Sequence, residues 1–230
     1  MSAIAANLAT VRQRIADAAR RAGRRAQDVT LVAVSKTQPG AAVRDAIAAG
    51  QRDFGENRVQ EALAKMDAVG PGPVWHLIGH LQTNKARLVP GRFALVQSLD
   101  SDKLAVALDS RARELAVALP VLLQLNWSGE ATKAGLRDWD AVAALLERLA
   151  GCAALRPVGL MTIPDPAATE AATRAHFAQV RGLLERIRRE IAPGPDFREL
   201  SMGMSHDFEW AIEEGATLVR IGTAIFGSRP

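Results

Sequence analysis

The chain is short of the residues that would place it in several common classes. It has one cysteine, Cys152, and no tyrosine in 230 residues. A lone cysteine excludes an internal disulfide framework and any metal site built from several thiolates. No apolar run reaches about 18 residues, so no transmembrane helix is expected. The opening stretch MSAIAANLATVRQR lacks the charged start and apolar core of a secretory signal, which makes the cytoplasm the expected compartment. Lysine is scarce as well: five stand against 24 arginines.

What remains is an ordinary globular composition, 48% hydrophobic and 23% charged. The length suits one α/β barrel or two smaller domains. A net charge of +4 and a pI near 9.8 could suggest a polyanionic partner. With so few Lys, Cys and Tyr, however, little deprotonates between neutrality and about pH 10, so the high pI follows from the inventory. Arg12, Arg14, Arg20, Arg21, Arg24 and Arg25 cluster near the N-terminus. A solvated helix face is favoured over an RNA or DNA contact there, because no aromatic platform accompanies them.

Apolar runs of strand length alternate with helical periods from residue 30 onward. The runs are 30–35, 53–56, 74–79, 93–98, 121–126, 157–163, 198–203 and 217–222. Several are apolar at consecutive positions, as strands of a parallel sheet buried on both faces must be. Between them, 41–49 carries Val43, Ala46 and Ile47 on one stripe and stops at Gly50. The segment 57–69 repeats Val59, Leu63 and Met66 and stops at Gly70, and Phe208, Ala211 and Ile212 form a short stripe ended by Gly215. Eight strands alternating with helices and no linker predict one α/β domain over 1–230. That domain is a single (β/α)8 TIM-type barrel preceded by an extra helix over 2–22.

Active sites in such barrels lie where the strands end. Those ends carry Lys36, Glu56, Asn57, His80, Ser98, Asn126, Met161, Thr162, Ser201 to Ser205, and Arg220 to Thr223. Lys65, Lys85 and Lys103 fall on predicted helices, where an exposed ammonium needs no explanation, and Lys133 falls in the loop after the fifth strand. Lys36 alone ends a buried strand. Its apolar surroundings favour the neutral amine, the form that condenses with a carbonyl. A lysine snorkelling to the rim fits the position equally well.

A second group follows strands seven and eight, which in barrels often shape a phosphate site. Ser205 is a suitable N-cap for a helix whose free amides would face the mouth, Gly222 lets the backbone come close, and Thr223 adds a hydroxyl. Each alone is better explained by capping or turning. Set opposite Lys36, together they point to a phosphorylated carbonyl ligand. Arg220 stands inside an apolar strand and needs a partner, either the acceptor nitrogen of a bound pyridine ring or a carboxylate such as Glu56 or Glu199. Asn57 and Gln60 resemble a capping pair. His76 and His80 share a strand face if the third strand runs that far, without the company a metal site needs. His176 and His206 fall on predicted helices, and the four tryptophans read as packing residues.

The stretches VAVSKTQP, FGENRVQE, WHLIGHLQTNK, VQSLDS, GLMTIP, SMGMSHDFEWAIEEG and VRIGTAIFG, in this order from residue 32 to residue 227, resemble the YggS/PROSC family. These are pyridoxal 5′-phosphate (PLP) homeostasis proteins related to the N-terminal barrel of alanine racemase. The resemblance implies a fold type III PLP barrel, with Lys36 forming a covalent aldimine. Ser205, Gly222 and Thr223, with the Met204 backbone, would hold the phosphate; Arg220 would face the pyridine nitrogen; and Asn57 and Ser201 would lie near the cofactor. Arg58 stands where the family often has Tyr, and His206 where Asp is common.

Racemases of this barrel type set a tyrosine from a second domain opposite their lysine. A chain without tyrosine has no candidate for that opposite-face acid. The role that the resemblance implies is therefore to store, buffer or deliver PLP, with PLP-dependent apo-enzymes as recipients; a monomer is expected, without nucleic acid, membrane or metal. A weak racemase using His80 or water, and a cofactor-free Schiff-base aldolase, are the alternatives from the enzyme class.

Overall fold

The eight apolar runs become eight strands: β1 (Thr30–Val34), β2 (Asp53–Glu56), β3 (Val74–Leu77), β4 (Leu95–Leu99), β5 (Leu119–Leu125), β6 (Leu155–Thr162), β7 (Glu199–Ser201) and β8 (Leu218–Ile221). The computed structural model describes residues 2–127 and 134–227. Every strand pairs in parallel with the next, and β8 pairs with β1, closing the barrel. Inside, Val32, Leu95, Leu122, Met161 and Leu218 form a small apolar cluster. The much larger outer core lies between the strands and the surrounding helices.

The helices are α1 (Ala3–Arg21), α2 (Gly40–Ala48), α3 (Val59–Val69), α4 (Asp102–Glu114), α5 (Trp139–Ala150), α6 (Glu170–Glu190), α7 (Phe208–Glu213) and α8 (Thr223–Phe226). Between β3 and β4 a 3-10 segment, Thr83–Leu88, stands where a full helix was expected. None of the described helices is long and apolar enough to cross a membrane.

The helix after β8 has only four residues, too few to cover the outer face of the β8–β1 seam. α1 takes that place. It packs against α7, α8 and α2 and buries Leu8, Val11, Ile15, Ala18 and Ala19, a stripe at helical spacing. The N-terminal helix is thus the eighth member of the outer ring.

This docking gives four of the six clustered arginines partners on other elements, while Arg12, Arg20, Arg21 and Arg25 stay exposed, as a solvated helix face requires. Arg12 donates to the Ala49 carbonyl at the end of α2 and to Gln51. Arg14 pairs with Glu209 and lies over the Phe208 ring, Arg21 pairs with Glu213, and Arg24 donates to the Ile212 carbonyl. Only Arg20 and Arg25 keep to local partners, Asp17 and Asp28.

Strands β6 and β7 approach so closely at Gly159 that a Cβ there would lie 1.9 Å from the Glu199 carbonyl oxygen. Neither backbone can give way without breaking the ladder. Gly159→Ala should lower stability by about 3 kcal/mol. Gly182→Ala, on α6 with nothing within 4 Å of a new Cβ, should raise it by about 0.5–1 kcal/mol. Urea unfolding of both variants checks the pair; equal and small effects would refute the close approach.

Candidate functional site

Barrel closure sets the geometry of the mouth. Val32 is paired with Arg220 and Ala33 with Ile221, so the ends of β1 and β8 emerge side by side. A Cβ on Gly222 would sit 3.3 Å from the Val34 carbonyl oxygen. The turn Gly222–Thr223 therefore lies beside the strand carrying Lys36, where it was expected opposite. Lys36 itself is half-buried, two residues beyond the end of β1.

The neighbours of Lys36 are firmly held. Thr37 adopts a left-handed backbone, φ 65°, and its amide donates to Glu61 Oε1 at 2.7 Å. Ser35 donates its hydroxyl to Glu56 Oε1 at 2.6 Å. Lys65 Nζ donates to the Ser35 carbonyl at 2.6 Å and to Glu56 Oε1 at 2.5 Å. Lys65 was expected to be exposed on a helix, yet only 6% of its side chain is accessible. It belongs to the inner stripe of α3 with Val59, Ala62 and Met66, and that helical spacing was the signal for it. Burial lifts the Glu56 carboxyl above its usual range, while Lys65 and Ser35 pull it down.

Arg220 crosses the barrel interior at 4% exposure and makes no ion pair among the described residues. Its Nη1 donates to Ser201 Oγ at 2.6 Å and its Nη2 to the Thr162 carbonyl at 2.8 Å. Neither carboxylate proposed for it is the partner: Glu56 serves Lys65, and Glu199 accepts from Thr217. Burial lowers the guanidinium pKa to about 10, partly offset by the Asp207 charge.

From Ser201 the polar chain continues. Its hydroxyl donates to Gln97 Oε1 at 2.6 Å; Gln97 Nε2 is 3.0 Å from His76 Nδ1; and His76 Nε2 is 3.1 Å from Asp53 Oδ1. Arginine can only donate and a carboxylate only accept, so every proton in the chain points from Arg220 towards Asp53. This assigns the His76 ring proton to Nε2. β3 ends at Leu77, so His80 does not share a strand face with His76. It is 58% exposed, beside Asp100.

The corner at β7 and β8 differs in detail from expectation. Ser205 is not the N-cap of α7: the helix starts at Phe208 behind Asp207, whose Oδ1 accepts the Met204 amide at 2.5 Å. The Ser205 hydroxyl instead accepts from the Ala224 amide at 3.4 Å, tying this loop to α8. His206 lies in the turn ahead of the helix. No hydrogen bond among the described residues takes the Ser205 or His206 amide. With six and four residues, α7 and α8 sum little dipole, so an anion here would meet individual amides and hydroxyls. Gly203, at φ 94°, turns the chain so tightly that a Cβ would sit 2.6 Å from that of Ala211.

Asn57 and Gln60 do not form a capping pair, because α3 begins at Val59 with Arg58 as its uncapped N-cap. The Asn57 backbone is pressed onto Gly79, so that it supports the loop after β3. The structure therefore gathers Lys36, Ser201, Ser205, Arg220, Gly222 and Thr223 at the β7–β8–β1 corner, with Asn57 on the loop after β2. Lys133 lies outside the described residues. Sequence reasoning missed Gln97 and Asp53, polar positions inside strands otherwise read as apolar.

The family model for the alanine racemase N-terminal domain matches residues 2–230. The chain is 50% identical, over its whole length and 97% of the other, to the pyridoxal phosphate homeostasis protein of Pseudomonas aeruginosa. It is 44% identical to the protein of that name from Escherichia coli, over its whole length and 98% of the other. PipY of Synechococcus elongatus, solved with PLP bound, is similar in structure. Its TM-score is 0.86 at 41% identity, covering 97% of this chain and 100% of that one.

Thr162 also joins this site to His176 on α6: its hydroxyl lies 2.7 Å from His176 Nε2. Burial holds this imidazole below its ordinary value of 6.5. A base depressed in the folded state contributes stability that is present above the unfolded value and lost as pH falls through the folded one. The urea midpoint should therefore fall from about pH 7.5 to about pH 5 by more in the parent chain than in His176→Gln. Parallel profiles would contradict the burial effect.

Proposed function

Because this chain belongs to the alanine racemase N-terminal domain family, and within it to the pyridoxal phosphate homeostasis proteins, we propose that it binds PLP and serves its homeostasis. It holds the cofactor for storage, buffering or delivery and does not run catalysis with it. The observation that carries this reading is the corner of the barrel mouth: a lysine just beyond β1 beside the Gly222–Thr223 turn, a neighbouring loop whose Ser205 and His206 amides are free, and a buried arginine that makes no ion pair among the described residues.

The donor set fits the group. PLP, when bound, supplies an aldehyde that condenses with the Lys36 amine, losing water, and a pyridine ring that accepts a hydrogen bond. Arg220 would donate to the ring nitrogen and, having no proton to spare at neutral pH, keep that nitrogen unprotonated. Ser205, Gly222 and Thr223 would hold the phosphate through the amides and hydroxyls of the β7 and β8 turns, while the Met204 backbone, expected to help, spends its amide on Asp207 and orders the loop. Ser201 orients Arg220, and Asn57 would border the ring from the loop after β2.

The absence of tyrosine supports holding over racemisation, since the face opposite Lys36 has no phenol to supply a proton. On this reading one chain, a single domain over residues 1–230, completes the site as a monomer. It works on the cytoplasmic pool and passes PLP to PLP-dependent apo-enzymes.

The purified protein should show a yellow absorbance band, and borohydride reduction should fix the label on the peptide containing Lys36. Labelling at Lys133, or at no lysine, would overturn the assignment. Lys36→Ala should abolish the colour and leave the unfolding free energy within about 1 kcal/mol of the parent, as expected for a half-buried rim residue. Collapse of the fold would mean the lysine is chiefly structural.

A further inference from the structure

We infer that Lys65, Glu56 and Glu61 form a clamp, buried at Lys65 and Glu56 and part-exposed at Glu61, that positions Lys36 by gripping the residues on either side of it. The inference rests on Lys36 as the residue that links to PLP.

Both flanks of Lys36 are tied to α3 and β2. On one side the Ser35 carbonyl accepts from Lys65 Nζ at 2.6 Å, its hydroxyl donates to Glu56, and its amide donates to the Gly55 carbonyl at 3.1 Å. On the other, Glu61 Oε1 accepts from the Thr37 amide at 2.7 Å and lies 3.8 Å from Lys65 Nζ. Glu61 and Lys65 are one helical turn apart, so the rigid helix sets the separation of the two grips.

Two features show that the clamp serves geometry more than stability. Thr37 is β-branched and holds a left-handed backbone, a conformation that persists only where its surroundings over-determine it. The Glu56–Lys65 pair is buried, and Glu56 Oε2 has no hydrogen-bond partner. A buried pair with an unsatisfied oxygen recovers its desolvation penalty poorly. What the pair supplies is a fixed carbonyl one residue ahead of Lys36. A lysine amine on a four-carbon stem reaches one reacting geometry reproducibly only when its Cα is fixed. Lys65, Glu56 and Glu61 are therefore positioning residues.

The test uses Glu61→Ala, Glu61→Gln, and the double variant Lys65→Met with Glu56→Gln, which removes both buried charges together. Amide exchange of Thr37 is followed in the PLP-free chain, and PLP release from the loaded chain to an excess of an apo-enzyme. Loss of one grip should speed Thr37 exchange and PLP release about fivefold in Glu61→Ala, the worth of one net hydrogen bond. Glu61→Gln, which keeps an acceptor oxygen, should stay within about twofold of the parent. The double variant should release PLP faster with its unfolding midpoint retained; if it does not fold, the two Glu61 variants decide alone.

Parent-like exchange and release in Glu61→Ala, with borohydride still labelling Lys36, would overturn the clamp and leave the PLP reading standing. Equal effects of Ala and Gln would overturn it too. A label away from Lys36 in the unsubstituted chain overturns the PLP reading, and the clamp's role falls with it.

Discussion

The ladder between β1 and β8 is the constraint on which the rest of the molecule depends. Four consecutive pairs, from Thr30 with Leu218 to Ala33 with Ile221, join strands from opposite ends of the chain. That ladder removes the sheet's two free edges and brings Lys36 beside Gly222 and Thr223. It also leaves an outer groove that the four-residue α8 cannot cover. α1 covers it, and the arginines along and just beyond that helix hold it to α2 and α7. A chain segment ahead of the barrel is therefore part of the barrel's outer wall.

Placing an arginine inside the barrel demands compensation, because a buried cation without hydrogen bonds is expensive. The structure meets this with neutral acceptors, Ser201 and the Thr162 carbonyl, and with a polar chain through Gln97 and His76 to Asp53. Each member has its donor and acceptor roles set by the next, so the arginine has little freedom to turn away. Among the described residues the guanidinium makes no ion pair, and the Asp207 charge only partly offsets its burial. That is the electrostatic setting in which an acceptor nitrogen is held without being protonated.

Much of this was legible in the residue order. All eight strands fall within a few residues of the apolar runs, since a strand buried on both faces must be apolar at consecutive positions. The polar residues at strand ends mark the mouth. Lys65 was misread because a place on a helix does not by itself say which face the side chain occupies. Lys65 lies on the buried stripe of α3, and its partners come from β1 and β2. Ser205 read as a cap because it precedes a helical stripe. Asp207, closer to the helix, wins that role by taking the Met204 amide.

By itself the sequence determined the architecture, the position of Lys36 at a strand end, the presence of a charged residue within β8, and the lack of any tyrosine to act as acid. These are local properties: period, run length and residue type. Only the tertiary structure decided that the Gly222–Thr223 turn lies beside Lys36, that Arg12, Arg14, Arg21 and Arg24 reach across to α2 and α7, and that Arg220 is satisfied by neutral oxygens. It also decided that Lys65 stands behind the carbonyl preceding Lys36. Each of these depends on contacts between segments far apart in the chain, which burial and the closing ladder bring together and which no local pattern encodes.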